Sequence, residues 1–397
     1  MAEAVEHRRE DMIRGLKEMI SIPAISPESG GEGEFDRSRF IESLLKEAGI
    51  TKIKHYDAPD RKAKGGVRPN VVAALGDKPS LWIVSHMDTV PPGDRSLWKS
   101  DPFAAVVRNG RIIGRGAEDN GQSLIASIYA AIGAMDAGLS PSVQLLFASD
   151  EELGSEKGIG YMAAQHVFKK GDEFLVPDAG SADGSAIEIA EKSSLWLRIT
   201  TEGVQTHASH PSSGLNALVA SSRFLVFIRD YLYSRYPAED QLFSPVPHST
   251  FEPTKRLANV ENVNTIPGTD EFYIDARILP SQSLRGILGD VRRAASLFTS
   301  MTGAKIRVSV FRKSQAAQPT SSDASVCSRL ASSLETVRGV KPVFVGIGGG
   351  TCANIVRALG LPAAVWETEC GQAHNPNEFA LIDNMVADAK IMASMMV

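Results

Sequence analysis

The sequence has few cysteines and no long apolar run. Its three cysteines, Cys327, Cys352 and Cys370, are spread over the last part of a 397-residue chain and form no CxxC pair. A disulfide scaffold is therefore excluded, and we expect a reducing, cytoplasmic location. No apolar run approaches the ~18 residues of a membrane span. The charged start, MAEAVEHRRE, does not resemble a secretory signal, so we expect neither a membrane segment nor export.

The chain also lacks a strong charge of either sign. Its 42 basic and 47 acidic residues give a formal net charge of −5, and no basic run is present. This balance gives little electrostatic reason to bind nucleic acid or an anionic membrane, and we expect neither partner. Because 43% of the residues are hydrophobic, disorder is excluded and a packed core is expected. The length suits two or three domains of ~100–200 residues.

Apolar strands alternate with helices along most of the chain. The clearest predicted strands in the first half are the apolar runs at 71–75, 81–85, 143–149 and 173–177. Such runs between helices predict an α/β domain with a mostly parallel sheet flanked by helices on both faces. Between 192 and 313 the strands instead alternate apolar and polar residues, in a β-α-β-α-β order. We therefore predict one α/β domain, formed by 1–191 and 314–397, with an inserted α+β domain at 192–313.

Residues of metal-ligating types lie where predicted strands end or where a helix begins. The candidates are His86, Asp119, Glu151, Glu152, Asp178 and His374. The carboxyl ends of strands line the ligand crevice of open α/β sheets, so these scattered residues could converge. Imidazole and carboxylate ligands suit zinc, and also cobalt or manganese. The residue types therefore predict a pair of divalent metal ions, with zinc as the first choice.

The two ions would divide these ligands. Cations ~3.5–4 Å apart need a shared anion, which Asp119 could provide. The remaining ligands would be His86 and Asp178 for one ion, and Glu152 and His374 for the other. Asp88, two residues after His86, is placed to orient the imidazole. Of the two adjacent glutamates, one could bind metal while the other takes a proton from water.

Each of these signals has an ordinary structural interpretation when taken alone. Two adjacent glutamates are usually a solvated turn, and a histidine at a strand end is usually satisfied by hydrogen bonds. An aspartate before a helix is usually an N-cap. The joint pattern is what favours a metal site.

Eight motifs occur in an order that resembles a known family. They are HMDTVP (86–91), GRGAEDNG (114–121), DEELGS (150–155), PDAG (177–180), HASHPSSGLNA (207–217), NTIPG (264–268), GGGT (348–351) and AHNPNE (373–378). Together they resemble the two-zinc metallopeptidase and deacylase family. It includes succinyl-diaminopimelate desuccinylase, acetylornithine deacetylase, aminoacylase and glutamate carboxypeptidase. The resemblance covers nearly the whole chain.

The resemblance implies a role for each matching position. It implies a catalytic metal-binding domain with an inserted lid that also forms a homodimer, and it repeats the metal assignment above. Asp88 resembles the carboxylate that orients the histidine, and Glu151 the general base and acid. His207 resembles a lid histidine that polarises the scissile carbonyl, often from the partner subunit. The residues that resemble those gripping the substrate are Asn264, Arg277, Gly349, Gly350 and Thr351.

The implied activity is metal-dependent hydrolysis of the amide bond of a small N-acyl amino acid or short peptide. The family also contains dipeptidases and carboxypeptidases, and a non-catalytic binding protein on the same fold is a remote alternative. Two positions depart from the usual pattern. Asp178 stands where deacylases and carboxypeptidases usually have glutamate, and it is more typical of aminopeptidases and dipeptidases. Asn120 follows Asp119, where many members have aspartate or methionine, and the family often has a cis peptide there.

Three further features had competing interpretations. His210 could form a second metal pair with His207, although a surface loop residue is the simpler hypothesis. The glycine-rich segment 346–350 could bind a nucleotide, but no suitable acidic residue follows a later strand. Arg277 could pair with Asp275 or Glu271 instead of substrate.

Overall fold

The computed structural model describes residues 1–397. The α-helices are α1 (Ala2–His7), α2 (Arg9–Ile20), α3 (Phe35–Glu47), α4 (Ser123–Asp136), α5 (Ile159–Ala164), α6 (Ala217–Arg235), α7 (Leu284–Thr302), α8 (Ser325–Ser333), α9 (Ala353–Ala358) and α10 (Ile382–Met395). The first ten strands are β1 (Ile53–His55), β2 (Ala58–Pro59), β3 (Val67–Arg68), β4 (Val71–Leu75), β5 (Leu81–His86), β6 (Val106–Arg108), β7 (Arg111–Ile113), β8 (Val143–Ala148), β9 (Glu173–Ser181) and β10 (Ala186–Glu191). The others are β11 (Ser193–Glu202), β12 (Thr206–His207), β13 (Thr250–Arg256), β14 (Thr265–Ile266), β15 (Thr269–Ile278), β16 (Lys305–Ser314), β17 (Val343–Ile347), β18 (Ala363–Thr368) and β19 (Phe379–Leu381).

The chain divides into two compact units. The first contains Met1–Ile189, Thr320–Val345 and Thr351–Val397. The second contains Ala190–Pro319 together with Gly346–Gly350, so it is longer than the predicted insertion and includes a segment that lies far along the chain. Gly346 packs there because it has no side chain: a Cβ at this position would lie 2.5 Å from the ring of Phe243.

An eight-stranded sheet forms the centre of the first unit, in the order β1-β4-β8-β5-β9-β18-β10-β17. Its middle strands β8, β5, β9 and β18 run parallel, which confirms the prediction of a mostly parallel sheet flanked by helices. All six residues of β5 are buried, as expected for a strand covered on both faces. Strands β1, β4 and β10 pair antiparallel at the flanks.

Helix α4 is the most deeply buried helix of the first unit. Every residue from Ser123 to Ala134 is buried, and α4 packs against α10. A helix that is apolar all round belongs inside a domain, which explains the composition of this segment. None of the helices in the chain combines the length and the apolar character that a bilayer crossing needs.

The second unit has a four-stranded antiparallel sheet in the order β13-β15-β11-β16. Leu195, Leu197 and Ile199 of β11 are buried with residues of α6 and α7, as their alternation predicts. The order is β-α-β-β-α-β, because β13 adds a strand that the sequence pattern did not predict. Its sequence, TFEPTKR, contains Pro253, which a sheet tolerates at an edge strand such as β13.

Candidate metal centre

Four of the candidate site residues, His86, Glu151, Glu152 and Asp178, lie on or just after neighbouring parallel strands. His86 is the last residue of β5, and Asp178 lies in the second half of β9. Glu151 and Glu152 form a short 3₁₀ turn just after β8. Because β8, β5 and β9 are parallel neighbours, their carboxyl ends lie side by side. The sheet therefore brings residues from distant parts of the sequence to one edge.

Asp119 lies between two histidines. His86 Nε2 is 2.8 Å from Asp119 Oδ1 and 3.2 Å from Asp178 Oδ1. His374 Nε2 is 3.1 Å from Asp119 Oδ2 and 3.0 Å from Glu152 Oε2. Each oxygen of Asp119 thus faces a different histidine, and each histidine also faces one further carboxylate.

These contacts form two groups that share one residue. His86, Asp119 and Asp178 could hold one metal ion, and Asp119, Glu152 and His374 another. Within each group the potential ligand atoms all lie within 4.8 Å of one another. The structure brings together all five residues predicted as metal ligands, in the pairing that the sequence suggested. Their role as ligands stays a prediction.

The carboxylates of the cluster favour positive charge on the groups between them. Burial lowers the pKa of His86, but Asp178 and Asp119 outweigh it and raise this pKa well above its usual value. Hydrogen bonds with Asp119 and Glu152 raise the pKa of His374 to about 10. Without a cation, carboxylates packed this closely favour the protonated form of both imidazoles. A divalent cation would provide the same compensation and displace those protons.

The residues present also fit such a cation in their chemistry. Glu152 Oε1 is buried and has no hydrogen-bond partner, although its other oxygen contacts His374. A buried carboxylate oxygen without a partner is costly unless a proton or cation is supplied. Two imidazoles and three carboxylates are suitable ligands for zinc, cobalt or manganese. The donor set therefore fits two cations that share Asp119.

Asp88 contacts both halves of the site. Its carboxylate accepts hydrogen bonds from the backbone N–H groups of Glu151 and Glu152, at 3.0 and 3.1 Å. His86 Nδ1 lies 3.0 Å from the backbone oxygen of Asp88 and 3.5 Å from its carboxylate. The imidazole thus faces the carbonyl more closely than the carboxylate, while the carboxylate holds the turn that carries both glutamates.

Glu151 is partly buried beside the cluster. Burial, reinforced by the negative charge of Asp178, raises its pKa well above the usual value for glutamate. The residue before it, Asp150, has a positive φ of 66°, which turns the chain sharply after β8. A carboxyl with a raised pKa is suited to taking and returning a proton.

Asn120 is a site residue whose role the sequence did not reveal. Its side-chain amide donates to Asp178 Oδ1 at 3.1 Å and to the backbone oxygen of Pro177. The Asp119–Asn120 peptide bond is cis, as the resemblance implied. Asn120 therefore holds the carboxylate of Asp178, and both positions at which the sequence departs from the family pattern touch each other. The only indication of this contact in the sequence was that Asn120 and Asp178 both depart from the family pattern in the same chain.

In the second unit, a short two-stranded ribbon brings His207 close to Asn264. His207 of β12 pairs with Thr265 of β14, and the N–H of Ala208 donates to the backbone oxygen of Asn264 at 2.9 Å. The exposed His207 ring has its Nδ1 2.7 Å from Ser209 Oγ. Ser209 Oγ also lies 2.9 Å from Nδ1 of His210, so the serine links the two histidines.

Arg277 is paired with an acidic neighbour. Its guanidinium donates to both carboxylate oxygens of Asp275, at 2.7 and 3.1 Å. It also donates to the backbone oxygen of Gly348 at 3.1 Å. The ion pair with Asp275, one of the two alternatives for this residue, is therefore present, and the pair is joined to the glycine turn.

The predicted GGGT segment is divided between the two units. Gly349 and Gly350 are exposed in the second unit, and a Cβ on Gly350 would lie 3.3 Å from a carboxylate oxygen of Glu191. Thr351 belongs to the first unit, where its hydroxyl accepts a hydrogen bond from the N–H of Ala353 at the start of α9. Thr351 thus has a helix-capping contact.

A cluster of histidines and acids at the strand ends of an α/β sheet is typical of metal-dependent hydrolases. Residues 82–397 match the model of Peptidase family M20/M25/M40, and the chain belongs to this family of metallohydrolases.

Proteins similar over almost the full length support this assignment. An uncharacterized metallohydrolase of Methanococcus maripaludis is 35% identical and covers 96% of this chain and 97% of its own length. A succinyl-diaminopimelate desuccinylase of Gluconacetobacter diazotrophicus is 27% identical over 95% of this chain and 94% of its own. Among solved structures, the dipeptidase Dug1p of Saccharomyces cerevisiae has a TM-score of 0.77 at 18% identity, covering 100% of this chain and 97% of its own.

Proposed function

We propose that this metallohydrolase cleaves the amide bond of a small N-acyl amino acid, in the manner of succinyl-diaminopimelate desuccinylase or acetylornithine deacetylase. The observation that carries the proposal is the sharing of Asp119 between His86 and His374, each of which faces a further carboxylate. Similarity to a desuccinylase over 95% of the chain supports this substrate class.

The cofactor in this proposal is a pair of divalent cations, with zinc as the first choice and cobalt or manganese as alternatives. His86 and Asp178 would hold one cation, Glu152 and His374 the other, and Asp119 both. When bound, such a pair polarises a carbonyl and makes water acidic enough to react near neutral pH.

Glu151 handles the proton in this reaction. It takes one proton from the attacking water and then donates it to the nitrogen of the leaving amine, so that the amide becomes an acid and an amine. Its raised pKa, caused by burial and by Asp178, suits both transfers. Asp88 keeps the glutamate in place through the N–H of Glu151.

The substrate would be bound by the residues to which the resemblance gives that role. His207 donates from Nε2 to the developing oxyanion, since its Nδ1 already contacts Ser209. The proposed holders of the substrate carboxylate are Asn264, Arg277, Gly349, Gly350 and Thr351. For Arg277 this requires the substrate to share a guanidinium that Asp275 now occupies. The binding energy would then position the scissile carbonyl.

A dipeptidase or carboxypeptidase is the second candidate. Asp178, held by Asn120, favours the dipeptidase over the carboxypeptidase, because aspartate at this position is more typical of the dipeptidase branch. A screen of N-succinyl and N-acetyl amino acids against dipeptides, with added zinc, cobalt or manganese, separates the two. Preferential cleavage of a dipeptide would replace the first candidate. A purified protein that binds no divalent ion would instead indicate a non-catalytic binding protein.

The proposed assembly is a homodimer formed through the second unit. Its sheet ends at β16, an edge strand with unpaired backbone groups. Leu297 and Met301 of α7 and Val226 of α6 are exposed apolar residues on the helices of the same unit. Sedimentation of the protein, with Met301→Lys as the variant, tests this assembly.

The free state of all three cysteines agrees with the cytoplasmic location, which stays a prediction.

Glu151→Gln tests the proton transfer. The substitution keeps the size of the side chain and removes its ability to carry the proton, so kcat is expected to fall ~10²–10⁴-fold. Metal content should remain that of the wild type, because Glu151 belongs to neither ligand group. A variant that keeps more than a tenth of the wild-type turnover would exclude Glu151 as the base.

A further inference from the structure

Two segments from distant parts of the sequence exchange carboxylates in the first unit. The turn 114–119 carries Asp119, and the segment 370–378 carries His374. Glu378, at the end of the second segment, accepts hydrogen bonds from the N–H groups of Glu118 and Asp119, at 2.9 and 3.1 Å. Its other oxygen accepts from the N–H of Gly116 at 3.0 Å.

The exchange also runs in the opposite direction. Glu118, next to Asp119 in the first segment, accepts hydrogen bonds from the backbone N–H groups of Cys370 and Gln372 in the second. Each segment thus gives a carboxylate to the backbone of the other. We call this arrangement of Glu118 and Glu378 the reciprocal clasp.

Arg115 adds a third connection within the clasp. Its guanidinium donates to Glu378 at 2.6 Å and to the backbone oxygen of His374 at 3.2 Å. Glu378 is 0% exposed, Glu118 1% and Arg115 2%, so water cannot replace these partners. Hydrogen bonds to a buried charged group are among the stronger ones in proteins and restrict geometry.

The clasp acts on the two candidate cation sites unequally. In the group of Asp119, Glu152 and His374, two of three residues lie on the segments that the clasp connects. In the other group, His86 is the last residue of β5, and Asp178 is held by Asn120. Of that group, only Asp119 itself lies on one of the two segments that the clasp connects.

We propose that Glu378 and Glu118 are positioning residues that set the separation of Asp119 and His374, and thereby the affinity of the site formed by Asp119, Glu152 and His374. Neither residue belongs to a ligand group, and neither was assigned a role from the sequence. This inference rests on the proposed metal dependence, and it adds that the two cations are retained by separate structural devices.

Glu378→Gln is the first test. Glutamine keeps one accepting oxygen but turns an NH₂ group toward the N–H of Gly116 and the guanidinium of Arg115, where donors then face donors. The metal-free wild type and variant are titrated with Zn²⁺ in competition with a chelator of known affinity. Loss of an outer partner of a metal ligand typically costs ~10–100-fold in affinity. We expect that loss only for the Zn²⁺ held by Asp119, Glu152 and His374. The affinity for the Zn²⁺ held by His86, Asp119 and Asp178 should stay within about threefold of the wild type.

Glu118→Gln perturbs the same clasp from the other segment and should weaken the same Zn²⁺. If circular dichroism shows that Glu378→Gln does not fold, Glu118→Gln alone tests the proposal. Asp388→Asn is the matched control. Asp388 is as buried as Glu378 and accepts hydrogen bonds from Thr368, but it touches no candidate ligand. Both Zn²⁺ affinities of this control should equal those of the wild type.

Three results would overturn the proposal in distinguishable ways. Unchanged affinity for both Zn²⁺ ions in the glutamine variants would show that the clasp does not position the ligands. Equal weakening of both ions, or the same loss in Asp388→Asn, would show a general structural effect. A wild type that binds no Zn²⁺ would overturn the proposed function as well.

Discussion

Replacing Asp88 with asparagine should impair both glutamates of the turn after β8 at once. The carboxylate accepts from the N–H of Glu151 at 3.0 Å and from that of Glu152 at 3.1 Å. Asparagine can accept only one of these hydrogen bonds, and its NH₂ group would face the other N–H. Asp88 is 1% exposed, so water cannot restore the lost partner.

The magnitude follows from those two hydrogen bonds. A hydrogen bond to a charged group contributes about 1.5–3 kcal/mol, and a buried donor left without a partner costs a similar amount. We therefore expect the free energy of unfolding to fall by about 2–3 kcal/mol. Because Glu151 and Glu152 would both shift, kcat/KM should fall ~100-fold, which corresponds to about 2.7 kcal/mol.

The assay compares denaturant unfolding with kcat/KM on the best substrate of the screen. Asp172→Asn is the control, because this buried carboxylate accepts a backbone N–H from Lys169 at 2.8 Å, just before β9 and away from the carboxyl ends of the strands. The control should lose stability but keep its activity. If Asp88→Asn keeps kcat/KM within threefold of the wild type while losing stability, the carboxylate does not position the glutamates.

Three further predictions concern pH, packing and metal. Burial raises the pKa of Asp388 to about 6, so its contribution to stability is present below the unfolded pKa near 3.8 and is lost as pH rises through about 6. Between pH 4 and pH 8, urea unfolding should show the wild type losing about 2 kcal/mol relative to Asp388→Asn, and a constant difference would contradict this. A Cβ on Gly158 would lie 1.9 Å from the backbone oxygen of Ser149, so Gly158→Ala should destabilise the first unit by ~3 kcal/mol or more. The control Gly289→Ala on α7, where a Cβ would meet only the end of the Arg293 side chain, should not cause this loss. Chelation should abolish hydrolysis. Zn²⁺ at about 100 times its dissociation constant should restore the activity and add about 2.7 kcal/mol to the free energy of unfolding. Activity that survives complete metal removal would refute the metal dependence.

The strand and helix pattern of the first unit could be predicted because its strands are continuous apolar runs between helices. The runs at 81–85 and 143–149 correspond to β5 and β8, each within about one residue. The strand β13 was missed because Pro253 and three charged residues remove the alternation. Pairing partners cannot be read from such runs, so the antiparallel position of β4 beside β8 was also not foreseen.

The candidate ligands were chosen from residue types and their positions at strand ends or before a helix, and the family resemblance supported the same choice. The residues that hold them were missed for a physical reason. Glu118, Glu378 and Asn120 act on backbone groups or on other side chains, and nothing in a sequence shows which N–H a carboxylate will face. The resemblance identified their motifs without revealing these contacts.

Arg277 shows the same division between the two kinds of information. The motif around it implied a grip on substrate, and its neighbours allowed an ion pair with either Asp275 or Glu271. The strand geometry of β15 decides for Asp275, while Glu271 instead accepts from Arg198 of β11. Both acids lie an even number of residues from Arg277 and share its face of β15, but an extended strand rises ~3.3 Å per residue, which places Glu271 ~20 Å away along the strand.

The amino-acid sequence by itself determined the family, the residue types of the candidate metal ligands and the order of most elements, because these follow from residue type, motifs and local periodicity. The tertiary structure alone decided that Asn120 holds Asp178 and that two distant segments exchange their carboxylates. These are contacts between residues 58 to more than 250 positions apart, and only the packing of the sheet and its loops brings them within hydrogen-bond distance.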